Sequence, residues 1–247
     1  MFFKALSFIL RKPLFELLYP IYLLKFGKER DYIAERLKKA SLQTRPKDVY
    51  RNLFFNGVDS LRYLQNKNIP VKFENWNLVP EKPAVFVSIH LGAFEMLHRG
   101  LIKSVESCVN LIVSEFRNKR LDNFLNSVRN VKNLNIVRDT KILKHVIRNK
   151  EILAVMADQS KFGAEYFDIL GQSVPLFLKL PLTANKLGAS IVLFRTFRRG
   201  DGHVIRVEKV YEPRSVVGAV DIAKIFEGWI LEYPEQWAWN YKDKKMI

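Results

Sequence analysis

Short β-rich runs alternate with amphipathic segments through most of this chain, and that alternation most constrains its fold. The runs occupy residues 84–89, 108–113, 134–137, 151–157, 190–197 and 203–211. Segments with helical spacing, such as residues 120–131 and 140–150, lie between them. Strands alternating with helices of this length favour a largely parallel sheet covered on both faces. We therefore predict an α/β fold with a mostly parallel central sheet flanked by helices.

Two features modify this plan at its ends. The last two runs are joined by Arg-Arg-Gly-Asp-Gly, which predicts a hairpin and hence an antiparallel edge. From Glu29 to about Lys67 the apolar spacing is helical, in two stretches separated by Pro46, and a last helix is expected over 221–233. Because 247 residues need no division, we expect one α/β domain over 29–247, with a helical lead-in at 29–67.

The first 28 residues have the composition of a helical, membrane-associating arm. Charges interrupt the apolar run, which is too short for the roughly 20 residues of a spanning helix, and Pro13 and Pro20 are expected to break or kink it. Lys4, Ser7 and Arg11 form a narrow polar stripe on an otherwise apolar helix rich in aromatic residues. The alternative is a hydrophobic helix that packs on the domain. Basic residues on both sides of the apolar groups favour membrane contact over that alternative. The interrupted apolar run favours an arm that lies on the membrane rather than spanning it.

The charge balance narrows the class of partner. With 41 Lys and Arg against 25 Asp and Glu, the net charge is +16, so the partner is expected to be nucleic acid, an acidic bilayer or an acidic carrier protein. Nucleic acid is disfavoured because the aromatic residues do not interleave with a basic stripe. The single Cys108 excludes a disulfide framework and a thiolate cluster, and the four histidines lack ligand-like spacing, so we expect no metal.

Two predicted strands end in polar residues. Open parallel sheets place their reactive groups beyond the carboxyl ends of the strands. The run 84–89 ends at His90, and the run 151–157 ends at Asp158 and Gln159. These residues are therefore the first candidates for an active site.

The spacing of His90 and Glu95 fits a base with an orienting carboxylate, under one condition. If His90 lies in a strand-to-helix turn that Gly92 allows, Glu95 falls in the first turn of the helix and can reach back. A carboxylate bound to one ring nitrogen fixes the tautomer and supports the imidazolium. The alternative is a structural histidine beside a glutamate that complements the helix dipole. Other nucleophiles are weaker candidates, since Ser88 lacks a nucleophile elbow and Cys108 lies in an apolar run.

Four stretches together carry a resemblance to a known family. They are His-Leu-Gly-Ala-Phe-Glu at 90–95, the arginine-containing segment 115–129, the block 152–190 that begins near Asp-Gln, and the Pro-Glu-Gln-Trp-Ala-Trp ending within 233–245. In this combination the chain resembles the lipid A late acyltransferases, a branch of the lysophospholipid acyltransferase-like superfamily. It departs from the family pattern at 168–174, where Phe-Phe-Gly is common, and after Trp239, where the family has a basic cluster.

The resemblance implies acyl transfer from a thioester carrier to a lipid hydroxyl. It makes His90 the general base and Glu95 the residue that orients it. Backbone N–H groups near Gly92, or a nearby cation, would stabilise the oxyanion. Arg117 and Arg120 would bind a lipid phosphate or a phosphopantetheine phosphate, Arg117 being favoured by its position, although ordinary surface charge explains them equally well.

The remaining motif residues are given supporting roles by the same resemblance. Asp158 and Gln159 would position the second substrate or stabilise the loop that carries it, the alternative being a turn at a strand end. The segment after Pro234 would form a latch for the C-terminus, with Glu235 and Gln236 as its polar members. Trp237 and Trp239 are expected to be core or interface anchors.

The resemblance also sets the expected partners. No cofactor is implied beyond the donor substrate, acyl-acyl carrier protein or acyl-CoA. The expected partners are an acidic acyl carrier protein, anionic membrane lipid and a lipid A-like acceptor, at the cytoplasmic face of the bacterial inner membrane. Two alternatives stay open: another lipid acceptor, such as a lysophospholipid, glycolipid or aminolipid, and a non-catalytic basic protein that binds membranes. The oligomeric state is also open.

Overall fold

The computed structural model describes residues 11–65, 68–81, 83–105, 107–113, 119–158 and 164–239. Its helices are α1 (Arg11–Lys39), α2 (Pro46–Leu64), α3 (Glu95–Ser104), α4 (Lys119–Arg129), α5 (Leu143–Arg148), α6 (Lys179–Lys186) and α7 (Ala219–Glu232). Its strands are β1 (Val71–Glu74), β2 (Ala84–Ser88), β3 (Val109–Ile112), β4 (Leu134–Val137), β5 (Ile152–Met156), β6 (Glu165–Ile169), β7 (Gln172–Leu176), β8 (Ser190–Arg199) and β9 (Gly202–Tyr211). Short 3₁₀ turns cover Trp76–Leu78, Thr140–Ile142 and Pro234–Gln236.

The central sheet has the order β1-β9-β8-β2-β5-β3-β4. The five strands from β8 to β4 are mutually parallel, which confirms the predicted mostly parallel sheet. β8 and β9 form the predicted antiparallel hairpin. This hairpin is not the edge of the sheet, however, because β1 pairs in parallel with β9 outside it. β1 escaped prediction because its four residues, Val-Lys-Phe-Glu, are half-exposed and form no apolar run.

Helices cover both faces of the sheet, as predicted. All five residues of β2 are buried, and alternate side chains enter different core clusters. Val85 and Val87 pack with α1, α6 and α7 on one face. Ala84 and Phe86 pack with α3 on the other. A strand covered on both faces has a continuous apolar sequence, which is why β2 could be predicted from the sequence.

A second, two-stranded sheet was not predicted. β6 and β7 pair antiparallel around a turn in which Leu170 and Gly171 have positive φ. β6 is mostly exposed and β7 contains Pro175, so neither has the apolar alternation of a typical strand. The hairpin is attached to the main body by a bridge between Asp158 and Leu176. Its Gln172 also accepts a hydrogen bond of 2.7 Å from Arg36 of α1.

The N-terminal helix differs from the expectation in two ways. α1 continues through Pro20, so of the expected break or kink the break does not occur there, and the expected boundary between residues 28 and 29 falls inside this helix. Burial of Phe15, Ile33 and Leu37 on both sides of Pro20 offsets the roughly 3 kcal/mol that an interior proline costs. The polar stripe of Lys4, Ser7 and Arg11 lies outside the described side chains. No helix among the described residues is long and apolar enough to cross a membrane.

Candidate active site

The strand register brings His90 and Asp158 together. β2 and β5 are neighbouring parallel strands in which Ser88 is paired with Met156, so the residues two positions beyond each strand end meet at the carboxyl edge. His90 Nδ1 lies 2.7 Å from Asp158 Oδ1, and the His90 backbone N–H donates to the same oxygen at 2.9 Å. Because a carboxylate only accepts, Nδ1 carries the proton and Nε2 is left as an acceptor. This is the tautomer that a general base needs.

The two side chains differ in exposure. The Asp158 side chain is 1% exposed, whereas that of His90 is 23% exposed. The ring of Phe94 packs edge-on against the imidazole, with the ring centroids 4.5 Å apart. The histidine is therefore fixed on two sides and open on another, while its carboxylate partner is out of reach of solvent.

The neighbours of His90 set its affinity for protons. Burial alone lowers the pKa of His90, but the negative charge and hydrogen bond of Asp158, with a further contribution from the charge of Glu95, raise it. Arg129 opposes them. The net pKa of His90 is raised from its ordinary value of 6.5. A raised pKa makes Nε2 a stronger proton acceptor once the ring is neutral.

Glu95 is hydrogen-bonded to Arg129 rather than to the His90 ring, the partner expected from its spacing. It stands at the start of α3, and its carboxylate accepts hydrogen bonds from both Nε (3.0 Å) and Nη2 of Arg129 in α4. The His98 Nδ1 atom lies 3.9 Å from it. Burial raises the pKa of Glu95, but the charge and hydrogen bond of Arg129, helped by His98 and His90, lower it overall. The carboxylate beside Nδ1 is that of Asp158, which the sheet register places there, and Glu95 acts on His90 through its charge.

Gly92 forms the predicted turn, but its amide is already occupied. Its φ is +59°, and a Cβ here would lie 2.5 Å from the carbonyl oxygen of Thr196, so only glycine fits. Its N–H donates to the carbonyl oxygen of Gln236 at 2.9 Å. In this arrangement the Gly92 N–H is not available to an oxyanion, and the other backbone N–H groups near it stay predicted donors. Arg129, close enough to lower the pKa of His90, is a cation near the site that the sequence analysis did not single out.

The end of the described chain forms part of the site. Residues Gln236–Ala238, which we call the C-terminal strap, run antiparallel to the turn after β2: Leu91 bridges Trp237, and the Ala238 N–H donates to the His90 carbonyl at 3.0 Å. The side chain of Gln236 also accepts from the Arg198 backbone N–H at 2.7 Å. The predicted latch is thus confirmed for Gln236. The predicted anchor Trp237 is buried as expected, and its indole in addition donates to Asp158 Oδ2 at 3.1 Å.

Three other predicted site residues remain, and one arginine was not predicted. Arg117 and Gln159 lie outside the described residues. Arg120 stands in the first turn of α4 with an exposed side chain, and its phosphate-binding role stays a prediction. Arg129 was missed as an individual residue, although the segment 115–129 that contains it was noted for its arginines.

The alternative nucleophiles and a metal receive no support from the described part of the chain. Cys108 precedes β3, at the amino end of the parallel strands and so away from His90. Burial raises the pKa of its thiol, with a smaller contribution from Glu151. The Ser88 hydroxyl is buried and donates to the backbone at 3.4 Å. Among the described residues there is no group of three or more His, Cys, Asp or Glu side chains arranged to hold a metal ion.

Comparison with known proteins identifies a matching family. The family model described as "Bacterial lipid A biosynthesis acyltransferase" matches residues 73–243 of this chain. A similar solved structure is the 1-acyl-sn-glycerophosphate (LPA) acyltransferase PlsC from Thermotoga maritima, with a TM-score of 0.44 and 14% identity, covering 93% of this chain and 96% of that chain. No curated protein sequence matches this chain. The residues matched by the family model include His90, Asp158 and the C-terminal strap.

Proposed function

This chain belongs to the bacterial lipid A biosynthesis acyltransferase family, and we propose that it moves a fatty acyl chain from an acyl thioester carrier to a hydroxyl of a lipid A or lipopolysaccharide precursor. The observation that carries the proposal is the pairing of His90 Nδ1 with the buried carboxylate of Asp158. It leaves Nε2 on the more exposed side chain able to accept the proton of an alcohol. No covalent enzyme intermediate is needed.

The reaction follows from this geometry in two steps. His90 Nε2 takes the proton of the acceptor hydroxyl while the hydroxyl oxygen attacks the thioester carbonyl carbon, giving a tetrahedral oxyanion. The intermediate collapses by breaking its carbon–sulfur bond, and the departing thiolate receives the proton from His90. The product is an ester and a free carrier thiol. Asp158 accepts the hydrogen bond of Nδ1–H and stabilises the imidazolium between the two steps.

The oxyanion needs hydrogen-bond donors or a positive group nearby. Arg129 is a buried cation whose charge acts on His90, and Glu95 fixes its position through two hydrogen bonds. We assign Arg129 the electrostatic stabilisation of the developing negative charge. Under this assignment Glu95 supports the reaction by orienting Arg129. Arg117 and Arg120 are assigned to bind the phosphate groups of the substrates.

Attachment to a membrane is supported by one face of α1. Its apolar side chains at Leu14, Leu17, Leu18, Ile21 and Leu24 are 41–89% exposed and follow helical spacing. Phe15, Tyr19 and Tyr22 point the other way and pack toward the core. An apolar stripe on a chain of net charge +16 fits peripheral binding to an anionic bilayer, where each nearby Lys or Arg contributes about 1 kcal/mol. We propose the cytoplasmic face of the bacterial inner membrane.

The donor is assigned from charge. Acyl carrier proteins are acidic, so a chain of this charge attracts them over distances comparable to the Debye length. Acyl-CoA, which also carries phosphates, is the other thioester donor that the chemistry allows.

Acyl transfer from a labelled acyl carrier protein to a lipid A precursor tests the proposal, with wild type compared with His90→Ala. Product from wild type and none from a folded His90→Ala variant would support both the reaction and its base. The sequence departs from the family pattern at 168–174, in the β6–β7 turn region. The same assay is therefore run in parallel with a lysophospholipid as acceptor and with acyl-CoA as donor. Activity only with those substrates would support acyl transfer but assign a different acceptor or donor. Absence of thioester consumption with every pair would overturn the enzyme assignment and leave a basic membrane-binding protein.

A further inference from the structure

Three N–H groups converge on the carboxylate of Asp158. The backbone and the ring of His90 both contact Oδ1, at 2.9 and 2.7 Å. The indole N–H of Trp237 donates to the other oxygen, Oδ2, at 3.1 Å. The His90–Asp158 pair therefore has a third member, Trp237. Each oxygen of the Asp158 carboxylate accepts hydrogen bonds from a different segment of the chain.

The C-terminal strap that carries Trp237 also fixes the backbone on which His90 stands. The Ala238 N–H donates to the His90 carbonyl at 3.0 Å, and the Gly92 N–H donates to the Gln236 carbonyl at 2.9 Å. Trp237 lies between these two contacts and bridges Leu91. One three-residue segment thus contacts the backbone of the base and the side chain of its partner.

The hydrogen bond from the Trp237 indole to Asp158 is buried, so its loss is not readily compensated by solvent. Trp237 is 1% exposed, and so is the side chain of Asp158. Solvent therefore has little access to Oδ2 if the indole is removed, and a buried acceptor without a donor is unfavourable. The orientation of the carboxylate, and of the imidazole whose Nδ1–H donates to Oδ1, would then be less firmly fixed, while that hydrogen bond itself remains.

We propose that Trp237 is a positioning residue of the acyltransferase, which acts through Asp158 to hold His90 in its base tautomer and orientation. The proposal rests on the proposed function for its kinetic consequence only. Trp237 stands behind Asp158 and bonds the carboxylate oxygen that His90 does not use, so its role is indirect.

The neighbouring Trp239 provides a matched comparison. It is equally buried, and its ring packs against that of Trp237 with the centroids 4.7 Å apart. Its indole N–H donates to the carbonyl oxygen of Pro234 at 2.6 Å, so this bond stays close to the strap itself. Replacing either tryptophan by phenylalanine removes one N–H and part of one ring from the same core cluster. Only the Trp237 change removes a contact to Asp158.

The charges around His90 determine the direction of the expected effect. Those that act on it are Asp158 after β5, Glu95 in α3 and Arg129 in α4, while the strap residues Gln236, Trp237 and Ala238 are uncharged. An indole donor withdraws negative charge from the Asp158 carboxylate. Without it the carboxylate is a stronger partner for the imidazolium, so the pKa of His90 rises.

The kinetic test compares Trp237→Phe with Trp239→Phe in the full chain. For Trp237→Phe we expect kcat to fall about tenfold or more with KM nearly unchanged, and the acidic limb of the pH profile to move up by about half a unit. Trp239→Phe should leave that limb in place. In an Asp158→Asn background, Trp237→Phe should add little further loss, because the two residues act in series. Equal effects of the two tryptophan changes, with an unmoved pH limb, would overturn the proposal.

A second measurement needs neither activity nor a variant that folds. Nuclear magnetic resonance of the wild type follows the His90 ring and the Trp237 indole N–H as pH changes. Protonation of His90 alters the field at Asp158, so the indole resonance should shift with the same midpoint as the His90 ring. An indole that does not respond to that titration would contradict the proposal. Because no acyl donor is present, this result is independent of whether the proposed acyl transfer is correct.

Discussion

A histidine with one ring nitrogen on a buried carboxylate responds to pH in a defined direction. The pKa of His90 is raised because Asp158 outweighs burial, so the neutral base is lost as pH falls through a value above 6.5. A raised folded pKa also means that the His90–Asp158 contact stabilises the fold most fully below the unfolded pKa and less as pH rises. Loss of activity at mildly acidic pH therefore should not reflect unfolding.

The resulting prediction concerns kcat/KM and thermal stability measured on the same samples. Between pH 7.5 and 6 we expect kcat/KM to fall toward tenfold per pH unit below the His90 pKa, as for a single essential base. The melting temperature should not fall in parallel, and activity should return when the pH is restored. A melting temperature that dropped together with kcat/KM would show that another group controls the transition.

Asp158→Asn tests the tautomer directly. The asparagine side chain keeps the shape but can offer an N–H to Nδ1, which moves the ring proton to Nε2 and removes the base. We expect kcat to fall by about 10³- to 10⁴-fold, as such a change does in other carboxylate–histidine pairs. Circular dichroism establishes whether the variant is folded. Glu95→Gln is the comparison, because its carboxylate binds Arg129 rather than the ring, and we expect it to leave the tautomer unchanged.

The sequence predicted the members of this site better than their partnerships. His90 and Asp158 were recognisable because each follows a buried strand. Their pairing depends on β2 and β5 being neighbours in the sheet, and no single strand pattern contains that information. The same reason explains why Glu95 was assigned to His90: its actual partner, Arg129, comes from a helix whose position against α3 is a property of the tertiary fold.

At the scale of elements, the turn between β2 and α3 is held by a close backbone approach. A Cβ at Gly92 would meet the Thr196 carbonyl at 2.5 Å, whereas Gly200, with nearly the same φ of +58°, has nothing within 4 Å. Gly200→Ala therefore has only the cost of the left-handed conformation, about 1–2 kcal/mol. Gly92→Ala has that cost and must also displace β8 or the turn.

We expect Gly92→Ala to lower the free energy of unfolding by more than Gly200→Ala does, and to abolish acyl transfer because His90 moves with the turn. Denaturant unfolding of both variants measures the difference. Equal destabilisation would mean that the turn has room to relax.

The exposed stripe on α1 predicts a loss of membrane binding without a loss of folding. Leu17→Glu with Ile21→Glu places two charges on side chains that are 68% and 60% exposed. Binding to vesicles that contain anionic lipid should fall at least tenfold, because both apolar groups leave the interface. The control is Leu187→Glu, at a leucine that is 50% exposed and lies just after α6. If both changes had the same effect on sedimentation with vesicles, the α1 face would not be the contact.

Elements predicted well and poorly from the sequence differ in burial. β2, β3 and β5 are almost completely buried, so apolar runs revealed them. β1, β6 and β7 are short or partly exposed and owe their conformation to pairing with neighbours. The continuity of α1 through Pro20 likewise results from tertiary packing, which local propensity does not include.

For the whole molecule, the net charge of +16 predicts a strong dependence on salt. The Debye length falls from about 30 Å at 0.01 M to about 10 Å at 0.1 M ionic strength. Over that range kcat/KM for an acyl carrier protein donor should fall several-fold, with kcat nearly constant, because encounter rather than chemistry is weakened. A short acyl-pantetheine donor without the protein should show a much smaller change. Equal salt dependence for both donors would argue against electrostatic steering of the carrier.

The register between β2 and β5 has a consequence for how activity is regained after denaturation. His90 and Asp158 are 68 residues apart in the chain, so their contact forms only after a long-range strand pairing, which is intrinsically slow. Helices form much earlier, within about a microsecond for short segments. During refolding, ellipticity should therefore recover before turnover does, and a chain with most of its helical signal would still be inert. The rate at which turnover returns then measures how fast β2 and β5 pair in the central sheet.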